Sequence, residues 1–270
     1  MFQTTLSQYP FTGLPNTRDL GGLPAADGRH VRPGVLLRST TLERASDHDR
    51  ALLLERWNLK TVIDLRTPEE QEREPYDRSL WPGVTFADCP VLKKTAAGVT
   101  REGAQDSKES LKALGKFLQP RKLMNNMYSG LLVREGALSA YTGFFATLLQ
   151  HNEGAALWHC TMGKDRAGLA TVLLLFALGV PFERIQADYL ATNDYLAASP
   201  VDENLRSAQA FQLPAAMARS FKVLNGVEAE YLERALASAK AQFGDMDTYL
   251  EQALGVGPQQ RAALQEKFLE

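Results

Sequence analysis

Ten consecutive residues, His159-Cys160-Thr161-Met162-Gly163-Lys164-Asp165-Arg166-Ala167-Gly168, hold a cysteine, an arginine six positions later and two glycines around a charged centre. A phosphoryl group carries about −1.5 to −2 charge and offers three acceptor oxygens. A loop that wraps it with backbone N–H groups, at the positive end of a helix, supplies donors and a favourable field together. Cys160 opens the loop and would face the same donors. Such surroundings lower a thiol pKa from about 8.5 to about 3.5–7.5, making the sulfur able to attack phosphorus and form a phosphocysteine. Arg166 can fork two N–H donors onto the equatorial oxygens, contacts that tighten as the transition state forms. Thr161, Met162, Gly163, Lys164 and Ala167 complete the expected phosphate-binding turn. Gly163 lets the backbone approach the anion and Gly168 lets the helix pack behind it. His159 reads as a residue that orders the loop rather than one that carries protons.

Cysteine and arginine at this spacing are a weak pattern alone. The preceding histidine, the internal Gly-Lys-Asp and a strand–loop–helix context make it specific. A nucleotide-binding P-loop fails, because Asp165 follows Lys164 where Ser or Thr is needed and Trp158 stands where the first glycine belongs.

The elements that must position this loop are legible around it. A short apolar run precedes it, and residues 167–180 form a longer one, stopped by Pro181 and too short to span a bilayer. Apolar or β-branched runs predict strands at about 35–38, 60–65, 84–87 and 156–159, with a helix from near Ser46 to Trp57. From Gly168 onward the pattern is almost wholly helical, broken near Pro181, Pro200, Pro214 and Gly255. Strands interleaved with helices, then a helical half, predict an α/β fold with a central, mostly parallel sheet flanked by helices. A ligand then belongs at the carboxyl ends of the strands. Residues 1–270 read as a single domain, with about 93–150 as an inserted helical lid.

The net charge of −2 over 270 residues gives no general attraction to nucleic acid. Two cysteines, Cys89 and Cys160, argue against a disulfide scaffold and suit a reducing compartment. Residues 1–30 show no signal-peptide core, so the cytoplasm is the default location, with export by another route left open. Residues 93–122 hold eight Lys or Arg against three Asp or Glu. Lys108, Lys112 and Lys116 recur every four residues, with Leu111, Leu114, Phe117 and Leu118 opposite. This basic amphipathic pattern reads as a lid drawing in anionic substrates, as a weak contact with an anionic membrane surface, or as an ordinary solvated helix. With Lys164, it tilts the expectation toward substrates carrying more than one phosphate.

At its loop the chain resembles the bacterial protein-tyrosine and phosphoinositide phosphatases with the HCxxGKDR signature, within the cysteine-dependent phosphatases. Asn16-Thr17-Arg18-Asp19-Leu20-Gly21-Gly22 is similar to that family's N-terminal N-x-R-D-L-G-G motif. Leu37-Arg38-Ser39, Asp64-Leu65-Arg66 and Asp188-Tyr189-Leu190-Ala191-Thr192-Asn193 resemble further family tracts, as does the tail from Tyr249. The resemblance spans nearly the whole chain and is weakest from about 90 to 150. It implies a phosphotyrosine-phosphatase-like fold and hydrolysis of phosphotyrosine, extending to phosphoserine or phosphothreonine and phosphoinositides. No cofactor and no metal is expected, and the partners are a phosphorylated protein or phosphoinositide, with phosphate or another oxyanion in the loop. A catalytically weak phosphate-binding module is the alternative.

The leaving oxygen needs a proton, which a carboxylate commonly supplies. Trp81-Pro82-Gly83 echoes a mobile acid loop but has glycine where the acid would be. Asp165 and Asp88 remain, and the resemblance favours Asp165; turn chemistry before Pro90 would also account for Asp88. Arg18 and Asp19 either flank the site, Asp19 orienting a loop arginine, or build a turn with Gly21-Gly22. Arg38 reads as an internal tether, and Arg66 with Glu70 as an ordinary surface pair worth about 0.2–0.5 kcal/mol.

One departure has kinetic weight. The family places Thr or Ser directly after the loop arginine, where a hydroxyl can reach the sulfur, but this chain has Ala167. Sulfur is then a poorer leaving group in the hydrolytic step, unless Thr161 compensates. Ala167→Thr is expected to speed phosphoenzyme breakdown in pre-steady-state kinetics; an unchanged step would count against the idea.

Overall fold

Alternation along one strand sets the architecture. In the strand Ala155–His159 every residue is buried: Ala156 and Trp158 join one core, Ala155 and Leu157 another on the opposite face. A strand apolar on both faces needs cover on both, the condition of a central parallel strand. The computed structural model describes residues 11–93, 119–197 and 215–270. The lysine-rich stretch at 108–118 lies outside the described residues.

Five strands form one sheet: β1 (Arg18–Asp19), β2 (Leu36–Ser39), β3 (Leu59–Asp64), β4 (Thr85–Asp88) and β5 (Ala155–His159), in the order β1-β2-β5-β3-β4. Only β1 is antiparallel to its neighbour. The register puts Ser39, His159, Asp64 and Asp88 level across β2, β5, β3 and β4. That row is the carboxyl edge of the sheet, from which the loop after β5 departs. The four strands expected from the sequence are present within a residue or so. β1, two residues long, was too short to leave a periodic signal.

Two capped helices lie close to the first strands. In α1 (Asp47–Ala51), Ser46 accepts from the Asp49 amide while Asp49 accepts from the Ser46 amide; a π turn over Leu52–Arg56 then carries the chain to Trp57. In α2 (Pro68–Arg73), Thr67 and Glu70 make the same reciprocal cap behind a proline at the first turn. The described part of the expected lid forms α3 (Pro120–Tyr128) and α4 (Glu135–Gln150). Met124, Tyr128, Tyr141, Phe144 and Phe145 of these helices are buried in the main core, so this portion is part of the sheet's covering layer.

Behind β5 runs α5 (Arg166–Ala177), in which every residue but Phe176 is buried. Gly179, at φ +76°, turns the chain back as its amide bonds Phe176 and that of Val180 bonds Leu175, the Schellman pattern that ends a helix before Pro181. Next come α6 (Phe182–Ala197), α7 (Ala215–Asn225), α8 (Ala229–Phe243), a short α9 (Met246–Thr248) running into a π turn, and α10 (Pro258–Phe268). Among the described residues no helix is long and apolar enough to cross a membrane. Leu174→Ala, at a fully buried position of α5, should cost about 2–5 kcal/mol, read as a lower urea midpoint with unchanged slope.

Candidate active site

The loop from Cys160 to Asp165 joins the carboxyl end of β5 to the first turn of α5. Cys160 is 2% exposed and Arg166 is fully buried. Gly163 adopts φ +67°, and a Cβ there would sit 2.4 Å from the Ser39 carbonyl oxygen. Glycine is therefore required by the backbone of β2 as well as by conformation. A Cβ on Gly168 would come within 3.2 Å of the Arg38 guanidinium and 3.4 Å of the Tyr189 ring, which accounts for the tight packing expected there.

Arg166 is held by Glu70 of α2. Its Nη1 and Nη2 donate to the two Glu70 carboxylate oxygens at 2.5 and 2.8 Å. The same carboxylate accepts from the Thr161 hydroxyl at 2.5 Å and from the Thr67 amide at 2.8 Å. Burial alone would raise the Glu70 pKa, but Arg166, Thr161 and the Thr67 amide overturn this and hold it below its usual 4.5. Arg166 is likewise pushed up: burial opposes its charge, and the Cys160 sulfur and Glu70 outweigh that cost. The expected surface pair of Arg66 with Glu70 is therefore wrong. Arg66 is buried and forks onto Asp64 at 2.8–3.1 Å, with Glu74 O and the Tyr76 ring as further partners. Sequence proximity suggested one pairing, while the sheet edge offered Glu70 a partner 96 residues away.

The other loop residues are anchored one by one. His159 Nδ1 lies 3.2 Å from the Cys160 carbonyl, which can only accept, so Nδ1 carries the proton; Nε2 lies 3.3 Å from the Tyr76 hydroxyl, whose single proton also faces Asp64 Oδ2 at 3.4 Å. Burial lowers the His159 pKa against the opposing pull of Asp64, keeping the ring neutral. These contacts tie the ring to the loop backbone and to Tyr76. Thr161 spends its hydroxyl proton on Glu70 rather than on the Cys160 sulfur. Half-buried Met162 offers its carbonyl to the Asn16 side chain at 3.1 Å.

Arg38 donates to the Gly163 carbonyl at 2.7 Å and to Asp188 at 2.8 Å, the tether anticipated from sequence. Burial and neighbouring Arg18 pull its pKa down to about 10. Arg18 shares Asp188 at 2.8 Å and reaches Asn16 at 2.5 Å, so it supports the loop at one remove. Asp19 does not orient an arginine. Its carboxylate accepts from the Gly21 and Gly34 amides and builds the turn.

Lys164 is buried, with its ammonium on the carbonyls of Leu224 (2.5 Å) and Gly226 (3.3 Å), at the end of α7. It is thus occupied internally rather than held out for a second phosphate, because a buried ammonium takes whatever acceptors surround it. Asp88 sits on edge strand β4, with its carboxylate on Arg78 (2.6 Å) and Gln71 (3.3 Å), away from β5. The structure does not place it with the loop. Asp165, by contrast, is 1% exposed within the loop; burial raises its pKa despite Lys164, Tyr128 and Arg166.

Glu70→Gln tests the clamp. Removing one partner of a buried pair should cost about 3 kcal/mol at neutral pH and, by loosening Arg166, about 10²-fold in turnover. Because the folded pKa of Glu70 is depressed, its contribution is present above 4.5 and is lost as pH falls through the folded value. The stability gap between wild type and variant, from denaturant melts, should therefore narrow on acidification.

A tyrosine phosphatase family model matches residues 9–270. A Cupriavidus necator protein assigned as a tyrosine-protein phosphatase is 34% identical over 248 residues, covering 91% of this chain and 84% of that protein. The triple specificity protein phosphatase PtpB of Mycobacterium tuberculosis is 30% identical over 262 residues, covering 89% and 92%. A Nostoc commune tyrosine-protein phosphatase is 31% identical over 194 residues, covering 68% and 57%. With a cysteine and a clamped arginine at the two ends of one strand-to-helix loop, and matches spanning nearly its whole length, the chain belongs to the tyrosine phosphatase family and is a phosphatase.

Proposed function

We propose that this phosphatase removes phosphate from phosphotyrosine through a phosphocysteine intermediate, and that it also accepts phosphoserine or phosphothreonine and phosphoinositides. The observation that carries the reading is the placement of Cys160 and Arg166 at opposite ends of one loop, with the guanidinium clamped by Glu70. The Cys160 thiolate attacks phosphorus, the P–O ester bond breaks, and the bond's electron pair stays with the leaving oxygen. Asp165 gives that oxygen its proton; its raised pKa suits a carboxyl that must still hold a proton before transfer. Arg166 spans the equatorial oxygens while the loop amides face the third. Water then attacks phosphorus, Asp165 takes the proton back, and phosphate departs as sulfur regains its electron pair.

The three chemical residues support turnover rather than a binding-only role. The lipid arm rests on the family resemblance and on the lysine-rich stretch outside the described residues, since Lys164 is engaged with α7. The cytoplasm stays the default location. Purified protein with a chelator present should hydrolyse para-nitrophenyl phosphate. Cys160→Ser should abolish turnover, and acid quench with labelled substrate should trap one phosphate on wild type. Phosphate binding without turnover by wild type would favour the weak binding module. A panel of phosphopeptides and mono- and polyphosphorylated inositol lipids then decides substrate class.

A further inference from the structure

Asp165 is not held by its loop alone. Tyr128, the last residue of α3, donates its hydroxyl proton to Asp165 Oδ1, and Tyr189 of α6 donates to the Tyr128 oxygen at 2.8 Å. Both tyrosines are fully buried, and the Tyr128 ring packs on Tyr231 of α8 at 5.4 Å. A phenol has one proton. Because Tyr189 commits its proton to the Tyr128 oxygen, Tyr128 must commit its own to Asp165, and the two bonds polarise one another in a dry interior. Oδ1 is then a permanent acceptor.

A proton carried by Asp165 is accordingly confined to Oδ2. That oxygen lies 3.5 Å from the Lys164 ammonium, so the charge left behind after transfer is matched at once. Groups facing the carboxyl are Lys164 and Arg166 from the loop and Tyr128 from α3, with Tyr189 of α6, Tyr141 of α4 and Tyr231 of α8 around them. Burial holds Tyr128 and Tyr189 well above the ordinary tyrosine pKa, so both remain donors across the working range.

We propose that Tyr128, oriented by Tyr189, is a positioning residue that confines the transferable proton of Asp165 to Oδ2 and sets the pH at which the acid loses it. This rests on Asp165 being the general acid. In the step concerned, the Oδ2–H bond breaks as the leaving oxygen gains that proton, and Tyr128 changes neither its own proton nor its bond.

The test is the pH dependence of kcat for Tyr128→Phe, Tyr189→Phe and Asp165→Asn, with para-nitrophenyl phosphate and phenyl phosphate as good and poor leaving groups. Removing a donor to the ionised carboxylate raises its pKa, so Tyr128→Phe should move the alkaline limb up by about one pH unit. It should also slow phenyl phosphate more than para-nitrophenyl phosphate. Tyr189→Phe, whose hydroxyl never touches Asp165, should move the limb the same way by less, and carries the test if Tyr128→Phe does not fold. Asp165→Asn should remove the limb; if it keeps it, the acid assignment fails and the inference with it. If Asp165→Asn removes the limb but both tyrosine variants leave it unmoved, with equal losses on both substrates, the inference alone is overturned.

Discussion

On the proposed mechanism, a guanidinium that meets a phosphate dianion has to be charged, fixed and dry before the substrate arrives. In this molecule the two-pronged contact between Glu70 and Arg166 meets that demand, and much of the surrounding structure serves it. Glu70 is a helix-capping residue, so its backbone is set by α2, and its carboxylate is set by Thr67 and Thr161. Thr161 belongs to the loop itself, so one carboxylate fixes both the arginine and the turn that precedes it. The same logic repeats around the loop: Asp188 joins Arg18 and Arg38, Asp64 holds Arg66, and helix-end carbonyls hold Lys164. Buried cations without such partners would shift or lose their charge.

Two carboxylates close to one arginine are driven in opposite directions by their surroundings. Glu70 accepts from a guanidinium, a hydroxyl and an amide and stays ionised. Asp165 accepts from a neutral phenol beside a lysine already occupied elsewhere, and burial wins, raising its affinity for a proton. Splitting two carboxylates by environment lets a single fold keep one ionised as an anchor while the other holds its proton more tightly.

The strands, the helix behind the loop and the position of the loop between them were legible because each is local, written in apolar runs and in the spacing of Cys160 and Arg166. Glu70 reads as the surface partner of nearby Arg66, a local reading that hides its buried partner 96 residues away. The roles of Asp188 and Tyr128 were missed for the same reason, since each meets its partners only across the folded sheet and its helical cover. Lys164 misled because its charge suggested solvent and anions, whereas the loop tucks it under α7. Of the two readings of Asp19, the turn is the one its amide contacts match. No sequence pattern distinguishes such an arginine- or carboxylate-bearing tether from a surface charge until the topology is known.

The joint made by Asp188 has a consequence for synthesis. It links Arg18 and Arg38 to a residue 170 and 150 positions further along, and Arg38 in turn grips the loop. A nascent chain that has emerged only as far as the loop after β5 holds Cys160 and its strand but lacks Asp188, the anion that lets two arginines enter the interior. Closing such distant contacts comes late and slowly. The reactive turn should therefore take shape near the end of folding rather than as the ribosome delivers it, and a growing fragment has no means of performing the reaction early.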